Sequence, residues 1–349
     1  MKYIIDLLKS KKDLSFHQAQ DILLQILKGY YEEDDIYEFL TAYEKKPYHH
    51  TELLGFITAM KKVATSIQPS LTGPIIDVCG TGGSNKQRFN ISTCVAFVLA
   101  AGDIYVAKHG NYGSKRPNGS FNFLEELHVP FNFNKDELIK LLTQSHCCFI
   151  FARMFHPGMR YVANARKKYN KRTVFNYLGP FANPVNVDYQ LVGLANESHL
   201  DVLIELVKAQ HKKHVMFCIG GDQRDEISLS GVTKIVSVKD NKVNVSMFDF
   251  KQEIEDISSN YPCGDSRENA KLFVDIFINQ KWDHPLIKHI AINAAAAMHC
   301  VGKVNSLIEG YQLALELFKT EKVTNAITRY KSVAADIELV KLNSKLSSK

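Results

Sequence analysis

Apolar residues recur at three- and four-residue steps through the first part of the chain. Ile4, Leu7 and Leu8, then Ile22, Leu23, Ile26 and Leu27, then Leu53, Phe56, Ile57 and Met60 each mark one face of a helix. Asp13-Leu14-Ser15 is a helix start before Phe16. Residues 1 to about 68 are therefore expected to be helical, ending at a turn-rich break from Pro69 to Gly73. From Pro74 onward the period changes. Short apolar runs predict strands at Ile75–Val78, Asp103–Ala107, Cys147–Phe151 and His214–Ile219. Helices are expected at Glu137–Leu142, Glu197–Gln210 and Ala291–Met298. Lys234–Val238 and Lys242–Val245, joined by polar Lys239-Asp240-Asn241, predict an antiparallel pair. Strands alternating with helices imply an α/β sheet, whose ligands bind beyond the carboxyl ends of the strands.

The first of those strands carries the strongest chemical signal. Ile75-Ile76-Asp77-Val78-Cys79-Gly80-Thr81-Gly82-Gly83 delivers three glycines in four residues, and Asn90-Ile91-Ser92-Thr93 leads into the apolar run Cys94–Ala101. Strand, glycine loop and helix start follow in order. Missing side chains let backbone N–H groups approach a ligand, and a helix N-terminus with two hydroxyls favours an anion. Phosphate binding is the reading these residues support.

Composition narrows the class. The chain has 349 residues, 45% hydrophobic and 23% charged, enough for two domains with a large core. No apolar run reaches membrane-spanning length. Asp6 and the lysines at 9, 11 and 12 interrupt any signal-like apolar region, so a cytoplasmic protein is expected. The seven cysteines form no Cys-x-x-Cys pair and read as reduced core residues; His146 with Cys147 and Cys148 has the wrong spacing for zinc. A net charge of +6 fits an anionic small substrate and leaves nucleic acid open.

Three further clusters add to the glycine loop. Lys108-His109-Gly110-Asn111 follows the Asp103–Ala107 run and offers a point charge with directional donors and acceptors; alone it would pass as a basic loop. His156-Pro157-Gly158-Met159 precedes Arg166, whose fork suits a carboxylate, although Lys167, Lys168, Lys171 and Arg172 around it also fit a solvated face. Asp225-Glu226, after the His214–Ile219 strand, suits Mg²⁺ as well as an acidic surface turn.

Taken together, these segments resemble anthranilate phosphoribosyltransferases. Gly80-Thr81-Gly82-Gly83, Asn90-Ile91-Ser92-Thr93, Lys108-His109-Gly110-Asn111, His156-Pro157, Arg172-Thr173-Val174-Phe175-Asn176-Tyr177-Leu178-Gly179-Pro180 and Asp225-Glu226-Ile227-Ser228 occur in that family's order and spacing, over nearly the whole chain to about residue 335. The resemblance implies Mg²⁺-dependent transfer of the phosphoribosyl group of phosphoribosyl pyrophosphate (PRPP) to anthranilate in tryptophan biosynthesis. It implies an α/β fold in which a small N-terminal helical domain is hinged to a larger α/β domain with a central mixed sheet. The expected bounds are 1–68, with helical segments around 160–185 packing on it, and 74–345. A homodimer through the helical domain is implied as well. By the same resemblance Gly80, Gly82, Gly83, Asn90, Ser92, Thr93 and Lys108 would hold PRPP, with Lys115, Arg116 and Ser120 beside its phosphates. Ser92, Asp225 and Glu226 would contact Mg²⁺. Anthranilate would lie against Gly80, His109, Asn111, His156, Arg166 and Gly179.

Four positions depart from the family pattern. Ser84 stands where an aspartate is usual, Lys115 and Arg116 where serines are usual, and Arg153 where a proline precedes His-Pro. One acid is lost and three cations are gained, so the expected pocket is more positive. That leaves room for two alternatives: a paralogous phosphoribosyltransferase or phosphorylase with a more anionic substrate, and a non-catalytic nucleic-acid-binding relative. The retained Asp225-Glu226 pair weighs against the second.

Overall fold

The structure, a computed structural model, describes residues 1–82, 89–113, 117–255 and 263–347. Four helices come first: α1 (Lys2–Lys9), α2 (Phe16–Leu27), α3 (Glu33–Tyr43) and α4 (His50–Val63). The start of α2 is encoded locally, because the Ser15 hydroxyl accepts from Gln18 N at 3.2 Å while the Gln18 side chain accepts from Ser15 N at 2.9 Å.

A mixed sheet follows: β1 (Ile75–Gly80), β2 (Tyr105–Gly110), β3 (Cys147–Phe151), β4 (Tyr189–Gly193), β5 (His214–Ile219), β6 (Val232–Lys239) and β7 (Lys242–Asp249). Its order is β3-β2-β1-β4-β5-β6-β7, parallel as far as β5 and antiparallel from β5 to β7. The remaining helices are α5 (Ile91–Ala101), α6 (Ser120–Glu126), α7 (Lys135–Ser145), α8 (Ala152–Phe155), α9 (Arg160–Tyr169), α10 (Val174–Leu178), α11 (Leu200–Ala209), α12 (Phe250–Glu253), α13 (Ser266–Phe273), α14 (Pro285–Cys300), α15 (Leu307–Lys319) and α16 (Lys322–Ser347).

Strand periodicity divides the core in two. Leu191, Met216, Cys218 and Ile235 face a layer built from α5, α7 and α14 to α16, whereas Val192, Val215, Phe217 and Val236 face α11 and the N-terminal helices. Helix α5 is buried on every side from Cys94 to Ala100, which is why its sequence lacks an amphipathic period. The chain returns to the N-terminal helices after β3: α9 packs on α2 and α3, and α10 packs on α4. Loops carried by that return therefore lie between the helical bundle and the carboxyl ends of the strands.

One strand boundary differs from the sequence expectation. Asp103 sits in a left-handed turn (φ 60°), and β2 runs Tyr105–Gly110 instead of ending at Ala107. Parallel pairing with β3, Lys108 to Phe149 and His109 to Ile150, extends the strand through residues whose polar side chains suggested a loop.

No helix among the described residues is long and apolar enough to cross a membrane.

Candidate active site at the β1–β4 crevice

Strand order reverses between β1 and β4, so a crevice opens beyond their carboxyl ends. Thr81 N donates to Gly193 O at 2.9 Å and ties the two strand ends together. The loop after β5 folds over this junction. A Cβ on Gly193 would overlap the Asp225 backbone carbonyl, and one on Gly80 would collide with the Asp225 carboxylate, 3.1 Å from its Cγ. Gly193 needs glycine because a second backbone lies on top of it, whereas Gly80 is crowded by the Asp225 side chain alone. Asp225 Oδ2 accepts from Gly82 N at 3.1 Å, so a carboxylate is seated on the glycine loop.

The loop is also held from the opposite side. Arg172, between α9 and α10, donates to the carbonyls of Thr81 (3.2 Å) and Gly82 while its guanidinium lies 5.0 Å from the Tyr177 ring centroid. With their carbonyls turned to Arg172, the loop peptides are fixed by two elements. Gly82 itself is left-handed, φ 65°. Asn90 caps α5, Ser92 lies in its first turn, and buried Thr93 has a hydroxyl with no hydrogen-bond partner among the described residues. Gly83 and Ser84 lie outside the described residues, as do Lys115 and Arg116. Ser120, partly buried at the start of α6, donates to Asn111 O at 3.4 Å.

Lys108 is 3% exposed and donates to Val78 O at 2.7 Å, so its ammonium sits beneath the glycine loop instead of projecting from a strand end. Beside it lies fully buried Asp77, whose two oxygens accept from His109 N (3.1 Å) and Asn183 Nδ2 (2.9 Å). Burial pushes the Asp77 carboxyl up to about 6, with the Lys108 charge opposing.

A second group comes from β2, the turn after α8, α9 and the turn after α10. His109 and His156 rings are 5.3 Å apart, both buried. Burial lowers His109 to about 3 and His156 to about 4, so both imidazoles are neutral near pH 7. A neutral His109 whose Nδ1 meets Gly179 O at 3.2 Å donates there, which leaves Nε2 as a buried acceptor with no partner among the described residues. A Cβ on Gly179 would meet nothing within 4 Å among the described residues, so this residue borders open space. Arg166 rests 5.4 Å from the Phe175 ring centroid; burial lowers its pKa and the charge of Glu44 raises it. Asn111 is exposed at the mouth, its side-chain oxygen accepting from Tyr112 N at 2.8 Å.

Arg153 belongs to neither group. It is exposed and stacks 4.9 Å from the Tyr112 ring centroid, turned toward solvent instead of into an apolar wall. One of the three added cations is thereby accounted for outside the pocket.

Behind the acidic pair, Glu226 is nearly buried, with Arg224 Nη1 at 3.8 Å and His289 Nε2 at 3.6 Å. Helix α14 fixes this segment: Asn293 accepts from Ile227 N (2.8 Å) and donates to Ile227 O (3.0 Å), and His289 Nε2 also reaches Ile227 O at 2.8 Å. His289 is lowered to about 3, by burial first and the Arg224 charge second, so it is a neutral donor. No group of three or more His, Cys, Asp or Glu residues that could hold a metal exists among the described residues. A divalent ion here would rest on Asp225, Glu226, hydroxyls and substrate oxygens, which is the donor set Mg²⁺ takes.

Asp77, Glu44, Arg172, Asn183, His289 and Asn293 were not assigned from sequence. Asp77 had a usable signal, an acid inside the apolar run Ile75–Val78. The others act through backbone groups or through distant partners, which leave no local pattern.

The chain matches the model of the glycosyl transferase family, a/b domain, over residues 72–323. It is 33% identical over 345 residues to the anthranilate phosphoribosyltransferase of Nitrosopumilus maritimus, covering 97% of each chain. Identity to that of Streptococcus mutans is 34% over 328 residues, 92% of this chain and 96% of the relative. Among solved structures, anthranilate phosphoribosyltransferase from Thermus thermophilus superposes with a TM-score of 0.84 at 27% identity, covering 95% of this chain and 98% of that one. The enzyme from Saccharomyces cerevisiae in complex with PRPP and Mg superposes with a TM-score of 0.86 at 23% identity, which speaks to the fold.

Proposed function

The chain belongs to the anthranilate phosphoribosyltransferases of the glycosyl transferase family, and from that membership we propose that its crevice carries out the family's reaction. Mg²⁺-dependent transfer of the phosphoribosyl group of PRPP to the amine of anthranilate releases pyrophosphate, a step of tryptophan biosynthesis. The observation that carries the reading is the seating of Asp225 on Gly80, Gly82 and Gly193, which brings the only adjacent pair of acids in the 220–230 loop to the glycine loop after β1.

Division of labour follows from the two groups of residues. Gly80, Gly82, Asn90, Ser92 and Thr93 take the phosphates of PRPP through loop N–H groups, hydroxyls and the helix N-terminus. Gly83, Lys115, Arg116 and Ser120 extend that set. Lys108 adds positive charge from below. Ser92, Asp225 and Glu226 hold Mg²⁺, which neutralises charge developing on the departing pyrophosphate. Arg166 takes the acceptor carboxylate, and Gly80, Asn111, His156 and Gly179 line the aromatic ring. His109 Nε2, a bare acceptor in a neutral ring, orients the amine through one N–H. An aromatic amine is already nucleophilic, so a weakly basic imidazole suffices, and holding the reactants in line supplies much of the acceleration.

We read residues 1–68, with the segment around 160–185, as a helical domain hinged to an α/β domain spanning 74–345. The family resemblance supports a homodimer through the helical domain. Seven free cysteines support a reducing, cytoplasmic setting. Loss of anthranilate fluorescence on mixing with PRPP and Mg²⁺ tests the reaction. No turnover at high enzyme concentration would sink it.

A further inference from the structure

Two loops on the donor side are separated by a long stretch of chain, yet one side chain from a third region joins them. Asn269 lies in α13 and is fully buried. Its Nδ2 donates to Asn90 Oδ1 at 3.1 Å and to Asn118 Oδ1 at 3.2 Å, and its Oδ1 accepts from Gly264 N at 3.1 Å. Asn90 is the cap of α5, the helix that follows the glycine loop. Asn118 belongs to the loop that follows β2 and precedes α6. Further contacts brace the same junction: Asn90 Nδ2 donates to Asn118 O at 3.4 Å, Asn118 Nδ2 to Gly264 O at 3.0 Å, and Ser266 Oγ to Pro117 O.

A primary amide is the right group for this place. It offers two donors about 120° apart and one acceptor, so it can bridge two oxygen atoms while satisfying a backbone N–H. An aspartate would keep the bond to Gly264 N but oppose two amide oxygens with no proton to share. A leucine of similar size would make none of these three bonds. Neither loop has such a link to α13 by sequence proximity.

We propose that Asn269 is a positioning residue for the phosphoribosyl donor, its amide fixing the separation of the Asn90 cap and the 117–119 loop so that both sides of the donor's phosphates are met at once. The inference rests on the reading that PRPP binds at the start of α5. Asn269 itself touches no substrate in this account; it acts through Asn90 and the loop.

Isothermal titration of PRPP with Mg²⁺ into the full-length protein tests it, using wild type, Asn269→Ala, Asn118→Ala and the double variant, each with a thermal melt. Asn118 is partly exposed, so its variant breaks the link from the loop side without opening the core. Each single variant is expected to weaken PRPP binding roughly five- to a hundredfold, the range for two lost amide hydrogen bonds, with the double variant close to the worse single one. The KM for anthranilate at saturating PRPP should stay within twofold of wild type. A lowered melting temperature with unchanged PRPP affinity would make Asn269 merely structural and overturn the proposal. Additive losses in the double variant would also overturn it, because the two residues would then act separately. If wild type itself fails to bind PRPP, the donor reading falls and the inference with it.

Discussion

Substituting Gly80 by alanine should separate activity from stability. Gly80 is not left-handed, so alanine adopts its backbone without strain, and a Gly→Ala change lowers the entropy of the unfolded chain. The added Cβ collides only with the free end of a side chain, the Asp225 carboxylate, with Cγ 3.1 Å away. That carboxylate can swing aside, but it then loses its bond to Gly82 N at 3.1 Å and leaves its seat on the glycine loop. A hydrogen bond to a charged group is worth about 1.5–3 kcal/mol, so kcat/KM for PRPP should fall by roughly 10- to 150-fold. More Mg²⁺ should be needed for half-maximal rate, while the melting temperature should fall by only a few degrees, because the lower entropy of the unfolded chain offsets part of the lost bond. Gly193→Ala is the contrast. Its Cβ meets the Asp225 backbone carbonyl, which cannot swing away, and this variant should lose stability or fail to fold. Steady-state kinetics with a Mg²⁺ titration and a thermal melt of both variants decide the matter. A fully active Gly80→Ala enzyme with unaltered Mg²⁺ dependence would refute the placement of Asp225 as a metal-bearing group.

Three other outcomes follow from the same geometry. Arg166→Ala should raise the KM for anthranilate at least tenfold, with PRPP affinity unchanged, since a buried charge pair with a carboxylate contributes on the order of 1.5–3 kcal/mol; acceptor kinetics left untouched would remove Arg166 from the site. Glu226→Gln should lower kcat by about a hundredfold and shift the Mg²⁺ dependence to higher concentration, as loss of one of two carboxylate ligands requires; an unshifted Mg²⁺ curve would contradict its role. Acid should destabilise the fold below pH 6.5. His109, His156 and His289 are held at about 3, 4 and 3, below the ordinary 6.5, so their contribution is complete above 6.5 and is lost as pH falls toward those values. Each costs about 2 kcal/mol at pH 5, offset by about 1 kcal/mol from Asp77, whose raised value works in the opposite direction. Urea unfolding should give a lower stability at pH 5 than at pH 7, and equal stabilities would show that these imidazoles are not buried as described.

The sequence made the phosphate side readable because its signals are local. Three glycines, a cap and two hydroxyls within fourteen residues describe a strand, a loop and a helix start, and β1 and α5 follow that order. The hairpin β6–β7 was equally readable, since alternation and a polar turn are properties of contiguous residues. Strand β2 was read short, because the polar side chains of Lys108 and His109 hid a backbone that pairs with β3. The same side chains are buried against Val78 O and Gly179 O, carbonyls that come from elsewhere in the chain. The sequence counts Arg153 among the cations of the pocket, and only three-dimensional packing shows it stacked on Tyr112 at the surface. Asn269 and Asn293 were illegible for a related reason. Each works by matching backbone or amide groups whose identity sequence does not encode, and asparagine within a helix has no periodic signature. Contacts made through side-chain pattern were visible, and contacts made to distant main chain were not.

The most direct test of the function is a stoichiometry. Pyrophosphate release and anthranilate consumption should be measured together in one reaction containing PRPP and Mg²⁺. The account predicts equal amounts of the two, both abolished by a chelator and both sharply reduced in Glu226→Gln. Pyrophosphate released without loss of anthranilate would mean that another acceptor uses the site, and release of neither would contradict the assignment of the crevice as a phosphoribosyl-transfer site.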